Sequence, residues 1–217
     1  MSYDLKTSLL PISHRLRPGG SYTKTSITIH STANLSSTPQ GERNWLNNTT
    51  NKRLAAWHYC IGAGVVIQAI PENEEAWHCG QPDGNKHSIG IEIVESGDRH
   101  QVLITAVEFT AKLLKNYGWG IDKLKKHYDW TGKNCPRILI DPLSIKGSMD
   151  WDWFVKMVSE KLDNDITEQS KMIVDGVEIP FTRILYKGNN FAKLRDLADI
   201  FGYEISNKGS IAVLTKK

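Results

Sequence analysis

Two histidines and one cysteine form the chemically most informative set in this 217-residue sequence. His127 and Cys135 lie close together in the chain, and the small and polar residues between them allow a loop that points both side chains at one centre. With the distant His30 they make two imidazoles and one thiolate, a ligand set for zinc that leaves the fourth tetrahedral position to water. The spacing is not that of a CxxC site, so a buried Cys135 beside two unrelated histidines is the alternative interpretation.

A single carboxylate interrupts an otherwise apolar strand, which we predict over Ser88–Val94. Glu92 lies in the middle of that strand, where a charged side chain is costly unless it is paired or faces a cleft. We therefore predict that Glu92 faces a cleft. An edge-strand position with the side chain in water is the alternative.

The elements that must position these residues follow from the periodicity of the sequence. Ser26 to Ile29 alternates polar and apolar residues, which predicts a short, half-buried strand that ends at His30. Residues 1–25 are rich in turn-forming residues and read as an irregular arm. A helix is predicted next, with Thr38 as N-cap and Pro39 as first residue, followed by a hairpin of Ala55–Ile61 and Val65–Ile70 and a loop over Pro71–Gly84. A second helix is predicted over Thr105–Tyr117, opened by a Thr105–Glu108 capping box and ended at Gly118. A strand over Leu124–His127 and a helix over Met149–Leu162 complete this part.

The organisation predicted is a domain over residues 1–162, a polar linker over 163–170 and a small unit over 171–217. The small unit is predicted as a strand (Met172–Val174), a turn, a strand (Val177–Pro180), a helix (Asn190–Phe201) and a terminal hairpin. It carries eight basic and five acidic residues, which equals the net charge of +3 of the whole chain. A unit of this size is near the lower limit for folding alone, so it is expected to dimerise or dock.

Composition excludes several classes of protein. The chain is 40% hydrophobic and 24% charged, as is usual for a globular protein. A net charge of +3 does not call for nucleic acid as a partner but suits an anionic surface such as a bacterial wall. Three cysteines do not make a disulfide framework, so Cys60 and Cys79 are expected to be free buried thiols, with a disulfide pair as the alternative.

The sequence also shows no signal peptide or membrane-spanning segment. Residues 1–10 contain no apolar core of signal-peptide length, and no apolar run reaches the roughly 20 residues of a membrane span. We expect a protein that is made in a cytoplasm, does not insert into a membrane and carries no export signal of its own.

Five separate segments occur in the order known from one enzyme family. The chain resembles the type 2, zinc-dependent N-acetylmuramoyl-L-alanine amidases, over roughly residues 5 to 160. These include phage endolysins and bacterial autolysins, and they share a fold with peptidoglycan recognition proteins. The resemblance implies an α/β fold with a mixed central sheet flanked by helices. The segments are the strand that ends in His30, Trp57-His58-Tyr59, Ala76-Trp77-His78, Gly90-Ile91-Glu92-Ile93 and Lys133-Asn134-Cys135-Pro136.

The resemblance also implies roles for individual residues. One Zn²⁺ would be held by His30, His127 and Cys135. Glu92 would be the catalytic acid and base, and Lys133 would assist it. Some relatives have a tyrosine at the position of Trp57 and have no glutamate at the position of Glu92. We expect Trp57 and His78 to border the substrate, a solvent-facing loop position being the alternative for His78, and we expect a structural role for His58.

The implied reaction is hydrolysis of the amide bond between N-acetylmuramic acid and L-alanine of bacterial peptidoglycan. The implied setting is a phage or prophage endolysin released through a holin pore, with a host autolysin as the alternative. One alternative function is that of a peptidoglycan recognition module without activity, although such proteins typically lack the cysteine. Another alternative is a regulatory protein that binds a polymerase. Residues 171–217 resemble the small repeat at the amino end of some copper amine oxidases, which suggests wall binding, with dimerisation as the alternative.

Overall fold

A computed structural model describes residues 3–140, 149–186, 189–209 and 211–217. The chain divides into two compact units, Met1–Lys161 and Leu162–Lys217. The first unit contains a mixed six-stranded sheet in the order β1-β4-β3-β5-β2-β6 with helices packed against it. The predicted α/β class is therefore confirmed. Its strands are β1 (Asp4–Thr7), β2 (Ser26–Ser31), β3 (Tyr59–Gly62), β4 (Val65–Gln68), β5 (Ser88–Ile93) and β6 (Leu124–Lys126).

Strand β2 lies inside the sheet, parallel to both β5 and β6. All six of its residues are buried, so the predicted half-buried strand is wrong. A strand with neighbours on both edges and helices nearby buries its polar positions too. The sheet tolerates this because the Thr28 and Ser88 hydroxyls hydrogen-bond each other at 2.6 Å.

Strands β3 and β1, at the other side of the sheet, differ from the elements predicted from the sequence. The predicted hairpin forms as the antiparallel pair of β3 and β4, but β3 begins at Tyr59 rather than at Ala55. Within the predicted irregular arm, Asp4–Thr7 forms β1, which pairs in parallel with β4. All four β1 residues are exposed, so this edge strand has no apolar alternation that could have revealed it.

The helices confirm the predicted caps in part. The Thr38 side chain accepts a hydrogen bond from the Gly41 N–H at 3.0 Å, as a helix N-cap does. The long helix ends at Gly118 in the left-handed conformation, with φ of 66°. The short α-helices Pro82–His87, Tyr128–Thr131 and Arg137–Ile140 are not among the predicted elements, and the first of them begins within the loop predicted over Pro71–Gly84. The described α-helices that begin in the first unit are α1 (Pro39–Asn47), α2 (Pro82–His87), α3 (Arg99–Tyr117), α4 (Tyr128–Thr131), α5 (Arg137–Ile140) and α6 (Trp151–Ile166).

The predicted capping box of α3 is wrong. Asp98 is the N-cap and accepts a hydrogen bond from the Gln101 N–H at 2.9 Å. Thr105 lies nearly two turns inside the helix, where its hydroxyl donates to the Gln101 carbonyl and accepts from the Gly64 N–H. Thr105 therefore links α3 to the β3–β4 turn instead of opening the helix.

Among its described residues, the second unit contains the end of α6, a three-stranded antiparallel sheet, a further helix and a hairpin. The residues predicted as a linker, 163–170, are helical to Ile166 and extended from Thr167. The predicted helix over Asn190–Phe201 is shorter, because residues 189–192 pair with the preceding strand. The elements are β7 (Thr167–Val174), β8 (Val177–Tyr186), β9 (Asn189–Ala192), α7 (Leu194–Ile200), β10 (Tyr203–Lys208) and β11 (Ile211–Lys216).

Candidate metal centre and cleft

Sheet register brings the two histidines together. Ile29 of β2 pairs with Lys126 of β6, and His30 and His127 are the residues that follow each of them. The His127 N–H donates to the Ile29 carbonyl at 3.2 Å, which continues the pairing just past β6. The loop that follows brings Cys135 back to the two histidines, because the Tyr128 N–H donates a hydrogen bond to the Cys135 carbonyl at 3.0 Å. Two strand ends and one loop thus converge.

The three side chains form a compact buried cluster. The Nδ1 atoms of His30 and His127 are 3.0 Å apart, and the Cys135 Sγ lies 3.7 Å from the His30 Nδ1. All three donor atoms lie within 4.8 Å of one another, and each side chain is at most 7% exposed. Donors on a tetrahedral zinc ion are spaced by roughly 3.3 to 3.6 Å, given Zn–N near 2.0 Å and Zn–S near 2.3 Å. The residues therefore fit a metal ion.

Burial sets the protonation of these ligands. Burial, followed by the neighbouring histidines, lowers the pKa of His30 well below its usual value. Burial and the Lys133 charge lower the pKa of His127 to about 4. Both imidazoles are therefore neutral near pH 7 and offer lone pairs to a cation. Burial and the Glu92 charge raise the pKa of Cys135 to about 12, so its thiol must lose a proton when it binds a metal.

Glu92 lies beside the cluster on the neighbouring strand. It pairs in register with His30 across β5 and β2, and its side chain is partly exposed. Its Oε2 atom is buried without a hydrogen-bond partner among the described residues. Burial, with the Glu42 charge as the next cause, raises the pKa of Glu92 to about 8, and Lys133 acts in the opposite direction. A carboxyl group with this pKa can gain and lose a proton near neutrality.

A cleft of about 330 Å³ opens at the cluster. Its lining includes the three candidate ligands together with Trp57, Glu92 and Lys133. The Trp57 ring stacks on Trp45 with centroids 5.7 Å apart and is only 5% exposed. Its Nε1–H has no hydrogen-bond acceptor among the described residues. Another cavity, of about 300 Å³ beside Arg99, includes none of the candidate metal ligands.

Two further histidines, His78 and His58, are buried near the cluster. His78 lines the cleft but is only 8% exposed, and its ring contacts His30 and the Ser88 carbonyl. His58 is fully buried, accepts from the Gly90 N–H at 2.9 Å and donates to the Glu74 carbonyl at 3.0 Å, in agreement with a structural role. Sequence reasoning missed the contact between His78 and His30, since a buried polar pair between distant segments leaves no periodic signal.

The other cysteines are free thiols. Cys60 and Cys79 are both buried and neither forms a disulfide, as expected. Within the part of the chain that the structure describes, no helix is long and apolar enough to cross a bilayer.

The fold and the cluster define a mixed α/β domain with a cleft whose His30, His127 and Cys135 side chains could hold a metal ion. A family model described as N-acetylmuramoyl-L-alanine amidase matches residues 21–138, more than half of the chain. The chain belongs to that family. The matched range contains His30, Glu92, His127 and Cys135.

Individual relatives agree with this assignment. The chain is 34% identical to the N-acetylmuramoyl-L-alanine amidase XlyB of Bacillus subtilis, over 68% of this chain and 46% of XlyB. It is 28% identical to the endolysin PlyTW of Staphylococcus phage Twort, over 76% of this chain and 37% of PlyTW. The chain thus spans less than half the length of these relatives. The solved catalytic domain of XlyA matches 71% of this chain and 99% of its own length, with a TM-score of 0.64 and 29% identity.

Proposed function

We propose that this chain hydrolyses the amide bond between N-acetylmuramic acid and L-alanine in bacterial peptidoglycan, with one Zn²⁺ as cofactor. The observation that carries this proposal is the convergence of His30, His127 and Cys135 at a cleft that also contains Glu92. The family and the similar amidase XlyB support the bond and the substrate.

A bound zinc ion supplies Lewis acidity, which polarises a carbonyl group and makes a water molecule acidic. Glu92 accepts a proton from the attacking water and later delivers it to the leaving amine of L-alanine. Its raised pKa suits both transfers near neutral pH. Lys133, which is exposed at the cleft and perturbs the pKa of Glu92, stabilises the negative charge that develops on the carbonyl oxygen.

Trp57 binds the substrate in this proposal. Its buried Nε1–H lacks an acceptor among the described residues, and a buried unpaired donor costs free energy. A carbonyl or hydroxyl oxygen of the substrate would satisfy this donor. The stacked Trp45 holds the indole in place, so the hydrogen bond requires little reordering. His78 borders the substrate only along the small part of its ring that reaches the cleft.

The wall is the partner and the place of action. In this proposal the chain is an endolysin that acts after release from a phage-infected or prophage-carrying cell through a holin pore. The similarity to the endolysin PlyTW supports the endolysin part of this proposal. Residues 171–217, with their net charge of +3, bind a wall polymer, and residues 1–162 carry the catalysis with 163–170 between them. The proposed wall binding also rests on the resemblance of residues 171–217 to the small repeat of some copper amine oxidases. The competing proposal for the second unit is that it forms a homodimer.

Mass spectrometry of digested cell wall tests the reaction. Purified wall should release intact stem peptides that begin with a free L-alanine amine, while the glycan strands stay intact. A complete chelator should abolish release, and added Zn²⁺ should restore it. Release of disaccharides, or of peptides cut within the stem, would refute the bond assignment. Undiminished release after verified removal of zinc would refute the metal.

A further inference from the structure

His78 forms a hydrogen-bonded bridge between one candidate metal ligand and the sheet backbone. Its Nδ1 lies 3.0 Å from the His30 Nε2, and its Nε2 lies 3.3 Å from the Ser88 carbonyl oxygen. The imidazoles of His30 and His78 meet edge to face, with an interplanar angle of 87°. Gly90 makes room for this ring, because a Cβ atom there would come 2.6 Å from the His78 Cγ.

This bridge has one arrangement of protons. A carbonyl oxygen can only accept, so the His78 Nε2 carries the hydrogen and donates it to Ser88. The Nδ1 of the neutral His78 ring is then an acceptor, and the His30 Nε2–H donates to it. The His30 Nδ1 is left with its lone pair, and it is this atom that faces His127 and Cys135.

The next residue contacts the second imidazole. The backbone of Cys79 hydrogen-bonds His127, whose Nδ1 faces the Nδ1 of His30. The loop itself is held in place, since Asn85 Oδ1 accepts from both the His78 and the Cys79 N–H groups. One short segment therefore contacts both imidazoles of the cluster.

We infer that His78 is a positioning residue for the metal site: it fixes the Nε2–H tautomer and the ring orientation of His30 so that Nδ1 binds the ion. The inference rests on the proposed metal site and adds a residue outside the ligand set. Outer partners of metal-bound histidines typically contribute 10- to 100-fold in metal affinity, roughly the loss expected here.

Three variants of the full chain separate this role from a structural one. His78→Asn keeps an oxygen acceptor near the position of the ring Nδ1, whereas His78→Leu removes it. His58→Leu is the matched control: His58 is equally buried and lies 5.8 Å from the His78 ring, but it contacts only backbone groups in its hydrogen bonds. Zinc affinity is measured by competition with a chromophoric chelator, and unfolding midpoints are measured in parallel.

We expect His78→Leu to bind zinc about 10- to 100-fold more weakly and His78→Asn to recover most of that loss. His58→Leu should lower the unfolding midpoint while its folded form retains the affinity of the unsubstituted chain. Equal affinity in His78→Leu and the unsubstituted chain would overturn the inference, as would equal losses in the Asn and Leu variants. If the unsubstituted chain itself binds no zinc, the proposed function fails, which is a separate result.

A spectroscopic measurement keeps the inference testable if His78→Leu does not fold. Long-range ¹H–¹⁵N correlation spectra of the metal-free, unsubstituted chain report which ring nitrogen of His30 carries the hydrogen. The expected result is the Nε2–H form. A His30 ring with its hydrogen on Nδ1 would overturn the inference.

Discussion

His30 and Glu92 occupy directly paired positions on the parallel strands β2 and β5. Side chains at paired positions of neighbouring strands point to the same face of the sheet. The carboxylate is therefore held by the sheet itself beside one of the candidate metal ligands. Adjustment of a loop is not needed to bring the two groups together.

Replacement of this carboxylate should separate metal binding from turnover. We expect Glu92→Gln to retain zinc but to lose about 10²- to 10⁴-fold in kcat, the usual contribution of a general acid or base. Stem-peptide release measures kcat, and elemental analysis measures bound zinc. Glu42→Gln, which removes another carboxylate from the same cleft, should have a much smaller effect. Undiminished wall lysis by Glu92→Gln would remove Glu92 from the mechanism.

The same substitution should stabilise the metal-free protein at alkaline pH. Burial raises the pKa of Glu92 from 4.5 in the unfolded chain to about 8 in the folded protein. The folded state thus binds more protons between these values, so the contribution of Glu92 to stability is full below pH 4.5 and is lost as the pH rises through 8. Glu92→Gln should therefore unfold at higher urea concentration than the unsubstituted chain at pH 8.5, and at nearly equal concentration at pH 4. A difference independent of pH would contradict this linkage.

The thiolate should be necessary for the ion. We expect Cys135→Ser to weaken zinc binding by more than the roughly 100-fold that loss of an outer partner costs, because a direct ligand is removed. Wall hydrolysis should fall with it at limiting zinc. Cys60→Ala is the control, since Cys60 is equally buried but is not among the candidate ligands. Retention of stoichiometric, chelator-resistant zinc by Cys135→Ser would exclude the proposed ligand set.

The indole N–H of Trp57 can be removed with most of its apolar contact surface kept. Trp57→Phe should lower kcat/KM by about tenfold, equivalent to roughly 1.4 kcal/mol for one lost hydrogen bond. The unfolding midpoint should change much less than kcat/KM does, because no protein acceptor among the described residues loses its partner. Trp45→Phe controls for the weakened ring stack. Equal losses in the two variants would assign the effect to stacking alone.

Charge on the second unit should affect wall binding and leave the chemistry unchanged. Lys208 and Lys216 are exposed on the paired strands β10 and β11. Changing both to Glu should weaken pelleting with purified wall several-fold at low salt, and the difference should shrink as salt screens the charges. Hydrolysis of a small soluble muropeptide should not change. Lys52→Glu with Lys156→Glu gives the same charge change on the first unit, and equal weakening by that pair would refute a specific role for the second unit.

Light scattering of the same variants distinguishes wall binding from dimerisation. A chain that is monomeric before and after the Lys208 and Lys216 changes supports the wall-binding role. A dimer that dissociates with these changes, while wall binding stays intact, would favour the competing role.

Local pattern predicted the elements whose signals lie within a few residues. The Thr38 cap, the β3–β4 hairpin and the glycine end of α3 depend on neighbouring residues, and each is present. The Thr105 capping box failed because Asp98 offered an earlier cap and tertiary contact drew the Thr105 hydroxyl to Gly64. Strand β1 escaped prediction because an exposed edge strand needs no apolar alternation.

By itself, the sequence determined which atoms are available for chemistry: imidazole, thiol and carboxyl groups on recognisable strands and loops, in an order that identifies a family. Only the tertiary structure decided which of these atoms meet. The pairing of His30 with Glu92 and the contact of His30 with His78 each depend on how distant segments are aligned in the sheet. Strand register is set by packing of the whole sheet, and that information is spread over residues too far apart in the chain for a local pattern to carry it.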